Sequence, residues 1–156
     1  MEITSKGFTL VELIIVIAII GVVMAFAVPS YQDSVRKTKR MEAQAEMVDI
    51  AASLQKYKMA NFHYVKSRSG SIVTPIDLQN VGFASATPKS NNGSYQYGLS
   101  FNSTATEWTL TATPIVGGQL AGTGALTVDH AGQRCWYKDK DTFTKGSDIC
   151  LPWDGK

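Results

Sequence analysis

The hydrophobic and polar positions of the chain follow three patterns in succession. From Phe8 to Val28 the residues are apolar almost without interruption, and Glu12 is the only charged one. As a helix rising about 1.5 Å per residue, this block of 21 residues would span roughly 30 Å, the thickness of the hydrocarbon core of a bilayer. It is longer than the apolar region of a secretory signal peptide. The first pattern therefore predicts a membrane-spanning helix.

The second pattern has the period of a helix. Between Ser30 and Asn61 apolar residues recur at steps of three and four, with polar residues around them. Joined to the apolar block, this pattern predicts one helix from Thr9 to Asn61. We expect its apolar stripe to lie in the core and to pack on a sheet: Ala43, Met47, Ile50, Leu54 and Tyr57.

Pro29 and Gly21 are the weak points of this predicted helix. Pro29 lacks an amide hydrogen and crowds the carbonyl of Ala25, and glycine is a poor helix former. We expect a kink at Pro29, and the stretch from Gly21 to Pro29 is the least secure part of the helix.

The third pattern has the period of two that is typical of strands. It predicts strands at 95–101 and 108–112, a shorter strand around Leu126 and Val128, and a fourth that begins near Cys135. Residues 102–106 have a length suited to a hairpin. Residues 62–93 are rich in turn formers and predict a connecting loop with a short helical turn at 74–78. The prediction is an α+β fold in which an antiparallel sheet of about four strands covers the helical stripe.

The composition argues against several classes of protein. The 156 residues carry 15 basic and 13 acidic groups, a net charge of +2 that by itself implies no nucleic-acid partner. The 2 cysteines exclude a four-cysteine zinc site, and the 2 histidines lie far apart in the sequence. The sequence contains no nucleophile elbow, phosphate-binding loop or zinc-protease motif, so we predict no enzyme, no metal and no cofactor.

A basic cluster follows the apolar block and consists of Arg36, Lys37, Lys39 and Arg40. Three interpretations stay open. The cluster is a solvated helix face, or it contacts lipid phosphates or the acidic groups of a neighbour, or it contacts DNA. The last is the least favoured, because a short cluster without an aromatic platform is weak support for DNA binding.

Glu12 is the residue that a simple membrane anchor does not explain. A carboxylate inside an apolar helix costs about 2.5–3.5 kcal/mol near the bilayer centre and less near an end. Nothing basic lies within helical reach of Glu12 in the apolar block, and Lys6 falls on another face. We therefore expect its partner to be a cation on another chain.

The N-terminal run resembles the start of a type IV prepilin. It reads Lys-Gly-Phe-Thr-Leu-Val-Glu-Leu over residues 6–13 and is followed by the apolar block and Pro29. The resemblance implies that a prepilin peptidase cuts between Gly7 and Phe8 and N-methylates Phe8. It implies that Glu12 pairs with the Phe8 ammonium of a neighbouring subunit. It also implies that the stretch from Gly21 to Pro29 can lose its helix in a packed filament.

Later residues, such as 108–114 and 132–136, resemble the PilE-type minor pilins. The implied type IV pilin fold divides the chain into a cleaved leader (1–7), a transmembrane and assembly helix (8–28), an amphipathic helix (29–61), a connecting αβ-loop (62–93), and a sheet with a disulfide-bounded D-region (94–156). In an oxidising compartment, Cys135 and Cys150 would form the bridge of that D-region, worth about 3 kcal/mol.

The implied function is that of a structural pilus subunit, a minor pilin in pilus assembly or priming and so in twitching motility, adhesion or DNA uptake. Its implied partners are other pilin subunits, the prepilin peptidase, the inner-membrane assembly machinery and the membrane itself; DNA is a weaker candidate. The resemblance places the sheet in the periplasm before assembly and in the extracellular pilus afterwards, although a count of flanking basic residues would place it in the cytoplasm. A major pilin, a type II secretion pseudopilin and a membrane-anchored binding module are the alternatives.

Overall fold

A computed structural model of the chain describes residues 7–155. They fall into two compact units, the first ending at Lys37 and the second beginning at Thr38. The predicted leader residues before Gly7, Lys6 among them, lie outside the described residues. One helix, α1, extends from Leu10 to Asn61 over 52 residues and begins one residue after the predicted start.

In the first unit the helix keeps its apolar side chains on the surface. Phe8, Leu10 and Phe26 are 83%, 74% and 76% exposed, and no residue from 8 to 37 is buried. By length and composition, this helix could cross a membrane. The segment has no core of its own, so its apolar surface is left for a bilayer or for other chains.

In the second unit the helix packs through the predicted stripe. Ala43, Met47, Ile50 and Leu54 are buried, and Tyr57 packs against them from the edge. This confirms the predicted core face of the helix, which the 3.6-residue period places along one side.

Two short strands, β1 (Val65–Ser69) and β2 (Ile72–Pro75), form an antiparallel hairpin after the helix. The turn contains Gly70 at φ +59°, a conformation that suits glycine. A 3-10 helix follows at Leu78–Val81, later than the helical turn predicted at 74–78. The hairpin lies inside the segment predicted as a loop. Its first strand is exposed along almost its whole length, so it carries no alternation that a sequence pattern could detect.

The main sheet has four antiparallel strands in the order β3-β4-β5-β6. They are β3 (Tyr95–Phe101), β4 (Trp108–Pro114), β5 (Gly124–Asp129) and β6 (Arg134–Lys138). The predicted α+β fold, with a sheet of four strands covering the helical stripe, is confirmed. Between the layers lie Tyr95, Tyr97, Trp108, Leu110 and Leu126, all buried together with the stripe.

Glu46 ties the helix to the sheet. Its carboxylate accepts the Tyr97 hydroxyl hydrogen at 2.8 Å and the Asn91 N–H at 3.1 Å. Burial, and then the contact with Glu46, raise the pKa of Tyr97 far above its ordinary value, so this hydroxyl stays a hydrogen-bond donor.

Both outer edges of the main sheet are occupied. Along β6, Trp136 exchanges two backbone hydrogen bonds with Leu151, at 2.7 Å and 3.1 Å. Along β3, the Tyr97 N–H donates to the carbonyl of Pro88 at 2.8 Å, and the Ser90 N–H donates to the carbonyl of Tyr95 at 2.8 Å. Each outer strand is therefore paired over part of its length, at Trp136 in β6 and at Tyr95 and Tyr97 in β3.

Candidate functional site

The N-terminal site consists of the residues around the start of α1. Thr9 precedes the helix, and its Oγ1 accepts the Glu12 N–H at 3.2 Å. Thr-x-x-Glu is the sequence form of a capping box, in which the threonine satisfies a free amide of the first turn. Glu12 itself lies in that first turn, where the helix dipole favours a negative charge. The local structure thus supplies a reason for this glutamate that sequence reasoning missed.

Glu12 and Phe8 are both accessible to a second chain. Glu12 is exposed, and it takes part in none of the ion pairs that the structure shows among residues 7–155. Phe8 stands immediately before the helix and is 83% exposed. The pairing of these two residues between subunits stays a prediction.

Gly21 and Pro29 lie inside a helix that the structure shows as continuous. A Cβ placed on Gly21 would meet no atom within 4 Å, so no close approach in the monomer requires a glycine there. Glycine nevertheless costs about 1 kcal/mol relative to alanine in a helix interior. The loss of helix between the two residues stays a prediction about the packed chain.

The C-terminal loop is closed by the disulfide between Cys135 and Cys150, as predicted. Two carboxylates hold it as well. Asp141 accepts the backbone N–H groups of Gly122 and Gly124, at 2.6 Å and 3.0 Å. Asp148 accepts the Thr144 N–H at 2.6 Å and pairs with the Lys140 ammonium. The loop therefore has internal order beyond the disulfide.

Two aspartates of this region titrate below their ordinary range. The Lys140 ammonium, and then the Thr144 N–H, hold the pKa of Asp148 down. Burial raises the pKa of Asp129, but hydrogen bonds from Gln133, Lys145 and Ala131 outweigh it and leave that pKa lowered. Both groups are therefore carboxylates at neutral pH.

Three residues of the predicted basic cluster each contact a different partner within the chain. Arg36 pairs with Asp33 at 3.4 Å, and the Lys39 ammonium donates to Gln119 at 2.7 Å. The Arg40 guanidinium lies 3.8 Å from the centroid of the Trp136 ring, a cation–π contact. The three predicted interpretations of this cluster did not include the contacts of Lys39 and Arg40, because Gln119 and Trp136 lie far away in sequence and meet the helix only in the fold.

A second basic segment lies at the end of the helix and on the hairpin, and it is called here the 56–68 segment. It contains Lys56, Lys58, Lys66 and Arg68, together with His63. No acidic residue occurs between Asp49 and Asp77. A surface groove is lined by His63, Lys66 and Arg68 along with two of their neighbours. The stretch without acidic residues and the end of the helix at Asn61 could both be predicted from the sequence, but the hairpin that carries Lys66 and Arg68 could not.

Comparison with known proteins decides the family. The prokaryotic N-terminal methylation motif matches residues 4–28. The sequence profile described as "Type IV minor pilin ComP, DNA uptake sequence receptor" matches residues 29–135, which is well over half of the chain.

This chain belongs to the type IV pilin family.

Curated relatives agree with that assignment. The pilin is 32% identical over 134 residues to a fimbrial protein of Pseudomonas aeruginosa, covering 85% of this chain and 83% of the relative. It is 34% identical over 128 residues to the fimbrial protein EcpC of Eikenella corrodens, covering 82% and 74%. The type II secretion system core protein G of Escherichia coli matches over only 66 residues, at 35% identity, covering 42% and 46%.

A solved structure of a type IV pilin from Shewanella oneidensis also aligns with this pilin. The TM-score is 0.44 at 21% identity, covering 74% of this chain and 97% of that one. The assignment depends on the family profiles and the curated relatives and not on this alignment.

The predicted family resemblance is thus confirmed, and so are the pilin fold and the disulfide. A pilin assembles with other pilin subunits, and its apolar N-terminal helix fits membrane anchoring before assembly. The family is a structural one. Leader cleavage, methylation, subunit pairing and the helix break remain predictions.

Proposed function

We propose that this pilin is a minor subunit of a type IV pilus that takes part in DNA uptake. The observation that carries the proposal is the match of residues 29–135 to a family described as a receptor for DNA uptake sequences. The 56–68 segment supports it, since a concentration of basic side chains is the electrostatic footprint of a nucleic-acid surface; of these side chains, Lys66 pairs with Asp77 at 3.6 Å.

The subunit reaches the pilus by the route that its N-terminal motif implies. A prepilin peptidase cuts between Gly7 and Phe8, removes the leader 1–7 and methylates Phe8. Residues 8–28 first anchor the chain in the bacterial inner membrane as a single span. They later pack in the filament together with the amphipathic helix 29–61. The loop 62–93 and the sheet and D-region 94–156 lie in the periplasm and then on the extracellular pilus. The chain works without catalysis.

Intact-mass measurement of the protein from its native host tests this processing. The expected mature chain begins at Phe8 and carries one methyl group. A chain that still begins at Met1 in a host with an active prepilin peptidase would contradict the route.

Assembly depends on the charge of Glu12 in this proposal. Its carboxylate pairs with the Phe8 ammonium of a neighbour and fixes the register between subunits. Removing one partner would leave the other uncompensated in apolar surroundings, which costs about 3–5 kcal/mol for a buried pair. The stretch from Gly21 to Pro29 loses its helix as the subunit packs, since glycine and proline both weaken a helix interior.

The test must separate pairing from helix capping, because Glu12 serves in both interpretations. Glu12→Gln keeps a side chain that suits a capping box but removes the charge. Thr9→Ala removes the cap and keeps the charge. In a strain without the wild-type copy, we expect Glu12→Gln to be cleaved and to remain in membranes but to be scarce in sheared filaments. Thr9→Ala should assemble. The reverse result would make Glu12 a capping residue only.

DNA binding is tested with the full chain in detergent micelles and a fluorescently labelled duplex, by anisotropy over a range of salt concentrations. Each cation that neutralises a phosphate contributes about −0.9 to the slope of log affinity against log salt. Arg68→Ala should therefore weaken binding and make the slope less steep, and Lys66→Ala should do so to a smaller extent because Lys66 already pairs with Asp77. Lys89→Ala, an exposed lysine outside the segment, is the matched control. Absence of salt-dependent binding by the wild type would overturn the DNA role.

A further inference from the structure

Phe62 occupies a position that neither its backbone nor its packing explains. It is the first residue after α1, and its φ is +63°. Its N–H donates to the carbonyl of Lys58 at 2.7 Å. This is the geometry of a helix that ends in a left-handed residue, where glycine is the usual choice. A bulky side chain at positive φ is strained, because its Cβ crowds the backbone.

Burial of the phenyl ring does not offset this backbone strain. Phe62 is 87% exposed, although the next aromatic residue, Tyr64, is buried and hydrogen-bonded to Trp108. A glycine would fit the backbone better, and a polar residue would suit the solvent better. The chain therefore holds an aromatic ring in water at a cost in stability, and such outliers gather where function requires them.

Basic residues lie on both sides of Phe62 in the sequence and would suit an anionic partner. Lys58 precedes it by one helical turn, and Lys66 and Arg68 line a groove built from the residues that follow it. Lys66 also pairs with Asp77 at 3.6 Å, so Lys58 and Arg68 are the cations offered to a ligand. Positive charge around one exposed ring suits a ligand that carries phosphates and flat bases. Apolar side chains inserted between base steps unstack and kink a duplex, while flanking cations hold its backbone.

We infer that Phe62 is a DNA-contacting wedge, whose ring stacks against a base step of double-stranded DNA while the 56–68 segment holds the adjacent phosphates. The inference rests on the proposed role in DNA uptake and adds the residue that engages the bases. It separates two kinds of contact within one surface. The cations supply the salt-dependent part of binding, and the ring supplies a part that salt does not screen.

The test compares variants of the full chain in detergent micelles on the same labelled duplex. Base–aromatic stacking corresponds to a loss of about 5- to 150-fold on alanine substitution. Phe62→Ala should show a loss in that range with an unchanged salt slope, whereas Arg68→Ala should make the salt slope less steep. Phe62→Tyr, which keeps the ring, should bind like the wild type. Val116→Ala, at a residue that is 95% exposed elsewhere, is the control for a general effect of exposed apolar groups.

Phe62→Gly gives a second and sharper test, because it should move stability and binding in opposite directions. Glycine relieves the positive φ, so the thermal midpoint of the full chain should rise, while affinity for the duplex should fall as with Phe62→Ala. A lower midpoint would show that the ring has a structural role, and that result would overturn the inference.

Insertion itself is measured with 2-aminopurine placed at successive positions of the duplex. The wild-type complex should raise the fluorescence at one step, and the saturated Phe62→Ala complex should not. If the wild type binds but Phe62→Ala binds equally well, the wedge is wrong and the DNA role stands. If the wild type binds only single-stranded DNA, or no DNA at all, the wedge is overturned; in the second case the proposed function falls with it.

Discussion

The two stretches of α1, up to Lys37 and from Thr38 onward, differ in the solvent exposure of their apolar side chains. In the first stretch Leu10, Ile17 and Phe26 are all more than half exposed. In the second, Met47 and Leu54 are completely buried against the sheet. The second stretch of the helix therefore packs against its own chain, whereas the first stretch leaves its apolar side chains for partners outside the chain. Helix residues 38–61 are therefore stabilised by the chain itself, whereas helix residues 10–37 need a bilayer or other subunits to bury their apolar surface.

The strongest test of this comparison is a matched pair of truncations. Leu54→Ala should destabilise the chain by about 2–5 kcal/mol, because it leaves a cavity in the core. Ile17→Ala, at a residue that is 59% exposed, should change stability by less than about 0.5 kcal/mol. Urea unfolding of both full-length variants in detergent, followed by tryptophan fluorescence, measures the difference. Equal losses would mean that the first stretch is packed within the chain and would end the comparison.

The second test removes the covalent bond that closes the loop. Cys150→Ser should lower stability by about 2–4 kcal/mol, because the unfolded chain is no longer constrained. Reduced wild type should lose a similar amount, which controls for the serine. Because Asp141 and Asp148 make their own hydrogen bonds, amide exchange at Gly124 and Thr144 should remain slow in the native state. Free exchange there would show that the loop depends on the disulfide alone.

The third test concerns the pH dependence of the ordered unit. The folded pKa of Asp129 is lowered, so its stabilisation is complete above the unfolded value of about 3.9 and is lost as the pH falls through the folded value. Asp129→Asn should cost about 1–2 kcal/mol at neutral pH. The gap between wild type and variant should narrow below about pH 4. A gap that stays constant down to the acid transition would show that the charge of Asp129 contributes nothing.

The smallest effect is expected where the basic cluster meets the sheet domain. Arg40→Met keeps an unbranched side chain but removes the guanidinium from the Trp136 ring, at a cost of about 0.5–1 kcal/mol. Arg36→Met removes an exposed ion pair and should cost less than about 0.5 kcal/mol. Chemical unfolding of both variants ranks them. If Arg36→Met were the more damaging, the cluster would act as one unit and not as residues with separate partners.

Much of the fold could be predicted from the sequence where burial is periodic. The stripe from Ala43 to Leu54 and the strands around Tyr97 and Trp108 repeat their apolar residues with the period of the element, because one face of each is buried. The hairpin β1–β2 could not be predicted, because its first strand is exposed along almost its whole length. Its order comes from the turn at Gly70 and from backbone pairing, which leave no hydrophobic period.

The candidate functional residues differ in the same respect. Gly7, Phe8 and Glu12 belong to a contiguous motif, so sequence alone could name them. Phe62 could not be recognised from the sequence, because it is distinguished by its positive φ and its exposed ring, and the residue type predicts neither. The C-terminal contacts of Trp136 with Leu151, and of Trp153 with the carbonyl of Cys135, likewise depend on chain segments that meet only in the fold.

The occupied edges of the sheet have a consequence for how polymers of this chain grow. Strand-by-strand addition, the route of amyloid, needs a free row of backbone donors and acceptors. Leu151 covers one edge and the segment before β3 covers the other. These contacts cover part of each edge of the main sheet, at Trp136 in β6 and at Tyr95 and Tyr97 in β3, whereas the apolar side chains of helix residues 10–28 are exposed. Association of subunits through the main sheet would first have to displace these backbone contacts, whereas association through the apolar helix displaces none of them.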